Sequence, residues 1–242
     1  MDSPEFSLVP LVEKLNSRST LGVIETNAIL ALPVHFRKFQ PGVVLIREGE
    51  VSKYCSLILT GFACRSKGNG GKSRQILSVH LRGDLVDLHN NILDEADYDV
   101  QSLTRVVSAH ISRQAIFELS ELYPAIRRAL WIDTLAEMSM SREWLLNVGR
   151  RSGIDRVAHL LCELTLRQQS AGTCTGPEYD WPMTQDQFGD ATGLTGVHIN
   201  RMLKILREEK LISCSKGRVT IYDWHKLKER AHFTQEYLHN LY

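Results

Sequence analysis

The sequence lacks a long apolar run. None of its 242 residues lies in a stretch approaching the ~20 consecutive apolar positions that cross a bilayer. The opening MDSPEFSLVP has neither the basic flank nor the apolar core of a secretion signal. These two absences lead to the expectation of a cytoplasmic protein with no membrane partner. Cysteine is scarce and unpaired: Cys55, Cys64, Cys162, Cys174 and Cys214 contain no CxxC and are odd in number. That is a pattern of reduced thiols rather than of a disulfide framework, and it is too dispersed for a zinc or iron–sulfur site. An excess of one charge is missing too. Lys and Arg total 29 against 28 Asp and Glu, so any binding to an anionic polymer has to come from a local patch. The apolar fraction of 43% is ordinary for a globular chain, and the length allows one large domain or two smaller ones.

What is present changes character along the chain. Residues 5–32 read as one or two short helices with a break near Asn16-Ser17-Arg18-Ser19. From His35 onward, VHFRKF, VVLIRE, YCSLILTG, FACRSK, RQILSVHL and RVVSAHIS are short, β-branched or aromatic, and often alternating. Gln40-Pro41-Gly42, Glu48-Gly49-Glu50, Thr60-Gly61 and Gly68-Asn69-Gly70-Gly71 punctuate them. Regularly spaced short strands predict a compact antiparallel barrel, jelly-roll-like, over residues 33–113. RQAIFELSEL then reads as a short helix, and Pro124 opens a long one, at a position where its missing N–H costs nothing. On that helix Ile126, Leu130, Trp131, Ile132, Leu135, Met138, Leu145 and Leu146 occupy more than one side. A helix apolar on two faces needs two surfaces. The barrel supplies one and a second copy of the helix supplies the other; the alternative is that both faces pack inside one subunit. Asn147 to Gly153, with its glycines and charges, marks a domain boundary. IDRVAHLLCELTLRQQ is an amphipathic helix and AGTCTGPEYD a loop. The predicted class is α+β: helices and barrel over 1–121, a dimerisation helix and hinge over 122–150, and a winged helix-turn-helix over 151–242.

The most informative stretch is MTQDQFGDATGLTGVHINRMLKILREEKLI, residues 183–212. Thr184-Gln185-Asp186-Gln187 has the form of a capping box. Gly193 permits a left-handed turn, and Thr195 is a suitable cap for a second helix. At 100° per residue, Ile199, Met202, Leu203 and Leu206 fall on one side of that helix. Val197, Arg201 and Lys204 fall on the other, flanked by His198 and Asn200. A cation, polar groups and a small apolar group suit the major groove. Two helices joined by a short glycine-containing turn form a helix-turn-helix, whose second helix reads bases with its N-terminal residues. An ordinary solvated helix is the competing reading. The following LISC, SKGR and VTIY read as a hairpin with a basic tip, placing Lys216 and Arg218 near phosphates as the wing of a winged helix.

With these residues in view, the chain resembles the Crp-Fnr superfamily of bacterial transcription regulators. The resemblance rests on TQDQFGDATGLTGVHINRMLKILREEKLI followed by GRVTI, and in the barrel on PGVVLIREGE, SLILTGFACRS and LRGDLVDL. It implies a homodimer on a roughly two-fold symmetric site in double-stranded DNA, with RNA polymerase as a further partner. Arg201 matches the family's base-contacting arginine. Thr184, Thr195, Lys204, Lys216 and Arg218 would hold phosphates, with Val197 and His198 contributing to readout and Asn200 flanking them on the DNA-binding face. Gly196 and Val197 stand where cyclic-AMP-responsive members carry arginine and glutamate, so the preferred DNA sequence is expected to differ. Those members also carry a glycine–glutamate pair followed by an Arg-Ser or Arg-Thr that holds the cyclic phosphate. Here Gly83-Asp84 stands at the first place and Glu95-Ala96-Asp97-Tyr98-Asp99 at the second. Asp97 and Asp99 would repel a phosphate, and the reading is a barrel that does not bind cyclic AMP. The cysteine cluster of oxygen-sensing members is absent, since no cysteine precedes Cys55. No cofactor is predicted; His80, His89 and His110 leave haem or another small effector open.

Other signals point to packing or turns. Gly71-Lys72-Ser73 resembles the end of a phosphate-binding loop, but Ser66 stands where that loop needs glycine. His159 and Cys162 share a helix face with leucines around them and no acid evident to orient the histidine. Asp84 and Asp87 lack an acid–base partner, and turn chemistry explains the first. An enzyme is therefore disfavoured. The rival to a DNA-binding regulator is a small-molecule sensor whose winged helix docks proteins.

Overall fold

The computed structural model describes residues 6–68, 70, 73–93, 95–215 and 217–239. Asn69, Gly71, Lys72 and Lys216, each singled out above, lie outside them, as does Asp94. The chain forms two compact units, Met1–Ser66 with Val79–Ser139 and Leu238–Tyr242, and Lys67–Ser78 with Met140–Tyr237. No helix among the described residues is long and apolar enough to cross a membrane.

Helices α1 (Val9–Asn16) and α2 (Val23–Leu30) precede seven strands: β1 (Val34–Phe39), β2 (Val44–Ile46), β3 (Tyr54–Thr60), β4 (Ala63–Gly68), β5 (Arg74–His80), β6 (Asp99–Ser102) and β7 (Val106–Ser112). They form two sheets, ordered β1-β7-β3 and β2-β6-β4-β5. The α+β class and the element order are as predicted, but the barrel is not closed. The chain is irregular around β2. Pro41 lacks a ladder donor, Gly42 and Gly49 each take φ +82°, and β2 between them is left with three residues and an irregular register. Strand β6 has no signature in the sequence, because DVQS holds a single apolar residue, Val100.

Strands β3 and β7 are largely buried on both faces, but they alternate: one face is apolar and the other mostly polar. Cys55, Leu57, Leu59, Val107, Ala109 and Ile111 pack with α1, α2 and two later helices, α3 (Arg113–Leu122) and α4 (Pro124–Arg150). Ile58 and Val106, pointing the other way, join Ile46, Val86, Tyr98 and Val100. Helix α4 buries Ile126, Ala129, Leu130 and Ala136, and leaves Trp131, Leu135, Met138 and Leu145 exposed by 68, 56, 52 and 71%. The stretch from Asn147 stays helical to Arg150, since Asn147 is buried and its amide donates to the Arg156 carbonyl at 3.4 Å.

The second unit is built on α5 (Gly153–Ser170), capped by Ser152. Around it lie β8 (Glu178–Asp180), α6 (Gln185–Thr192), α7 (Gly196–Glu208), β9 (Ile212–Ser215), β10 (Arg218–Ile221) and α8 (Trp224–Arg230). The stretch read as a loop thus ends in a strand, and the predicted hairpin becomes a three-stranded sheet, β8-β10-β9. Tyr179 anchors the added strand, buried, its hydroxyl donating to the Leu161 carbonyl at 3.2 Å.

A buried polar network runs through this unit. Glu163 is fully buried; it accepts from Trp144 Nε1 at 3.1 Å on both oxygens, from the Tyr237 hydroxyl at 2.9 Å, and from Arg167 at 3.4 Å. An acid does face His159: Nε2 lies 3.3 Å from Glu143 Oε1, and Arg151 donates to the same oxygen at 2.5 Å. His159, and then Arg151, hold the Glu143 carboxyl down to about 2. Because Glu143 comes from a different helix, no local pattern around His159 shows it. With His159 also stacked on Tyr237, the assembly is structural.

Candidate nucleic-acid interface

The capping box is fully formed: Thr184 Oγ1 accepts from Gln187 N at 3.2 Å and Gln187 Oε1 accepts from Thr184 N at 2.9 Å. Helix α6 ends at Gly193, at φ +67°, a left-handed conformation that favours glycine. A second glycine is required for closeness. A Cβ on Gly189 would stand 2.4 Å from the Leu194 carbonyl oxygen, so only glycine lets the turn fold back on α6. Thr195 then caps α7, accepting from His198 N at 3.4 Å.

Inside α7, Ile199, Met202 and Leu206 are buried. Outside, Thr195, Val197, His198, Asn200, Arg201 and Lys204 are exposed, Val197 by 79%. Among the described residues Arg201 has no hydrogen-bond or ion-pair partner, which leaves its fork of five donors available. Lys204 lies 3.7 Å from Glu208 one turn on. His198 Nδ1 is 3.0 Å from Thr195 Oγ1. Asn200 Nδ2 donates to Gln185 Oε1 at 2.7 Å; Gln185 was not among the predicted site residues.

The wing differs from a simple basic tip. Arg218 is not a free cation: its Nε stands 3.3 Å from Glu178 Oε1 and 3.5 Å from Asp180 Oδ1. The cause is strand register, which sets Asp180 directly opposite Arg218. Only a pairing between segments nearly 40 residues apart brings these acids to the arginine, so the sequence pattern around SKGR did not reveal them.

In the first unit, the inward side of the sheets holds charge. Arg65 on β4 lies 4.4 Å from the Tyr98 ring centre, donates to Glu137 Oε1 at 2.7 Å and bonds the Val86 carbonyl. Asp87 accepts from Ser56 N at 2.7 Å, and burial pushes its carboxyl up to about 6. Burial also raises Glu137, against the pull of Arg65. Asp84 binds Lys14 at 2.6 Å and caps the turn at Leu81 N. The three histidines do not converge. His80 lies 4.0 Å from both Asp84 and Glu137, His89 bonds the Tyr98 hydroxyl, and His110 stacks on Phe39. Burial lowers His89 and His110 each to about 4, so both rings are neutral near pH 7.

Residues 36–123 match the cyclic nucleotide-binding domain model and residues 155–230 the Crp-like helix-turn-helix domain model. The chain is 26% identical over 204 residues to the transcriptional activator protein FnrL of Cereibacter sphaeroides, covering 81% of this chain and 80% of that protein. It is 24% identical to the nitrogen fixation regulation protein FixK of Rhizobium meliloti, covering 74% and 79%. Among solved structures, FixK2 from Bradyrhizobium japonicum superposes with a TM-score of 0.75 at 21% identity, covering 82% of this chain and 97% of that one. The capped helix pair, its exposed cationic second helix and the adjoining sheet define a DNA-binding transcription regulator with a winged helix-turn-helix. The chain belongs to the Crp-Fnr superfamily.

Proposed function

We propose that the protein acts as a homodimer that binds an inverted-repeat DNA site without cyclic AMP. The observation carrying the DNA reading is Arg201, without a partner among the described residues, beside Val197 and His198 on the exposed face of a capped α7. Arg201 contacts a base, and Val197, His198 and Asn200 complete the readout. Thr184, Thr195, Lys204, Lys216 and Arg218 hold phosphates. Dimerisation is supported by the apolar side chains that α4 leaves exposed, Trp131, Leu135, Met138 and Leu145. Independence from cyclic AMP is supported by the inward side of the sensor sheets. Arg65 is already engaged by Glu137 and Tyr98. Asp97 and Asp99, expected to repel the phosphate, flank the buried Tyr98; Asp97 is exposed and Asp99 accepts from Glu48 N at 2.9 Å, so the acids on the inward side are instead Asp87 and Glu137. FnrL is by name a transcriptional activator and FixK a regulation protein, which supports transcription control as the output; RNA polymerase is the further partner of this proposal.

The test is selection from random duplexes with and without cyclic AMP. An enriched inverted repeat without nucleotide supports the proposal; no binding transfers it to a protein-docking role. On the enriched site, Arg201→Ala should cost about 1–3 kcal/mol and relax preference at one base pair. Equal weakening on random DNA would contradict base readout.

The acids of β8 carry a further expectation. With two carboxylates beside Arg218, Glu178→Gln combined with Asp180→Asn should strengthen binding to all sequences and steepen the salt dependence by about one unit of slope. An unchanged slope in a salt titration removes Arg218 from the phosphate contacts.

A further inference from the structure

We infer that Gln185 fixes the hydrogen-bonding polarity of Asn200, so that this position of the recognition helix reads an exocyclic amino group, N6 of adenine or N4 of cytosine. The inference rests on the DNA-binding reading above and adds to it a positioning residue on the preceding helix.

An exposed asparagine is ambiguous by itself, because its carbonyl accepts, its amide donates, and rotation presents either. Here the choice is made before DNA arrives. One N–H of Nδ2 is given to Gln185 Oε1 at 2.7 Å, which fixes the rotation of the amide and leaves one donor and the oxygen. The oxygen and nitrogen of a primary amide diverge from one carbon, so Oδ1 points away from Gln185 and remains an open acceptor.

The helices hold the pair in place. Gln185 is the first residue after the Thr184 cap, where both capping-box bonds fix the backbone. At Gly196 the two helix starts nearly touch: a Cβ there would lie 2.8 Å from Asp186 Oδ1 and 4.0 Å from Gln185 Cβ. The first turn of α6 thus lies beside the first turn of α7, which is the approach the Gln185–Asn200 bond needs. Asp186 adds a second acceptor at this edge. The next residue, Arg201, is a pure donor suited to guanine O6 and N7. Neighbouring positions therefore present opposite polarity, an acceptor at 200 and a donor at 201.

The experiment begins with the selected operator; failure to select one would be failure of the DNA-binding reading, not of this inference. On the operator, each adenine is replaced in turn by purine, which lacks the 6-amino group, and each cytosine by 2-pyrimidinone, which lacks the 4-amino group. At one position per half-site the deletion should weaken the wild-type protein about tenfold and the Asn200→Ala variant hardly at all. The analogue that produces the effect tells adenine from cytosine. Gln185→Leu should lose most of the tenfold discrimination at that position. Gln185→Glu, which keeps an acceptor for Nδ2, should retain it, even if its charge weakens all DNA uniformly. The inference is overturned if no position couples to Asn200. It is also overturned if Gln185→Leu weakens intact and amino-deleted duplexes equally, which would make Gln185 a backbone or structural contact only.

Discussion

Glu163→Ala is expected to destabilise the winged-helix unit by about 3–5 kcal/mol, the range for removing one member of a buried ionic pair. Glu163 is fully buried and serves three donors at once: the Trp144 indole, the Tyr237 hydroxyl and the Arg167 guanidinium. Removing it strands all three. Arg167 is itself nearly buried, and a charge left in such a place finds neither water nor partner. Tyr237 already ionises far above its ordinary range, through burial first and the Glu163 charge second, so it cannot become an anion that would replace Glu163 beside Arg167. Glu163→Gln keeps one acceptor oxygen and should cost less, about 1–3 kcal/mol. Urea denaturation followed by tryptophan fluorescence reads both variants, with Trp144 reporting from inside the network. A loss under about 1 kcal/mol for the alanine variant would show that water or a shifted Glu143 replaces the acceptor.

The second large effect concerns pH. The Asp87 carboxyl, ordinarily at 3.8, is raised to about 6 by burial. A raised folded pKa means that the folded state holds the proton more tightly than the unfolded state. Below pH 4 the group is neutral in both states and costs nothing. As pH rises from 4 through 6 the folded carboxyl must ionise in place, and stability falls by about 2–3 kcal/mol. Glu137 acts in the same direction. His89 and His110, lowered to about 4, act oppositely, losing stability as pH falls below their unfolded value of 6.5. The wild-type curve is therefore a sum of opposing slopes, and the informative quantity is a difference. Asp87→Asn keeps an acceptor for Ser56 N and removes the charge. Its stability relative to wild type should rise by about 2–3 kcal/mol between pH 4 and pH 7. Thermal or urea melts of both proteins across that range give the difference, and a flat one would mean that Asp87 ionises without penalty beside Arg65.

These two effects arise where the sequence was least legible. Glu163 and Trp144 lie on different helices, Asp87 and Arg65 on different strands and turns, and no spacing along the chain announces either meeting. The helix-turn-helix was legible because its determinants are local. A capping box spans four residues, a left-handed turn needs one glycine, and the faces of α7 follow from helical period. Long alternating strands such as β3 and β7 were legible for the same reason. The short strands β6 and β8 were not, and which strands pair into which sheet is a long-range matter that a strand pattern does not encode. The site divides along the same line. The outward residues of α7 could be read directly, whereas the acids on Arg218 and the glutamine on Asn200 are brought there by pairings across the fold.

The exposed face of α4 has one more consequence. Trp131, Met138 and Leu145 recur every seven residues, with Leu135 four after the first. An unstrained helix repeats slightly later than that and drifts by about 20° over each such interval. Two copies meeting along this line stay in contact only by winding around each other in a left-handed sense. The handedness of the proposed dimer is thus written in the spacing of three side chains, and an insertion of a single residue between Met138 and Leu145 would rotate the second half of the seam about 100° out of register.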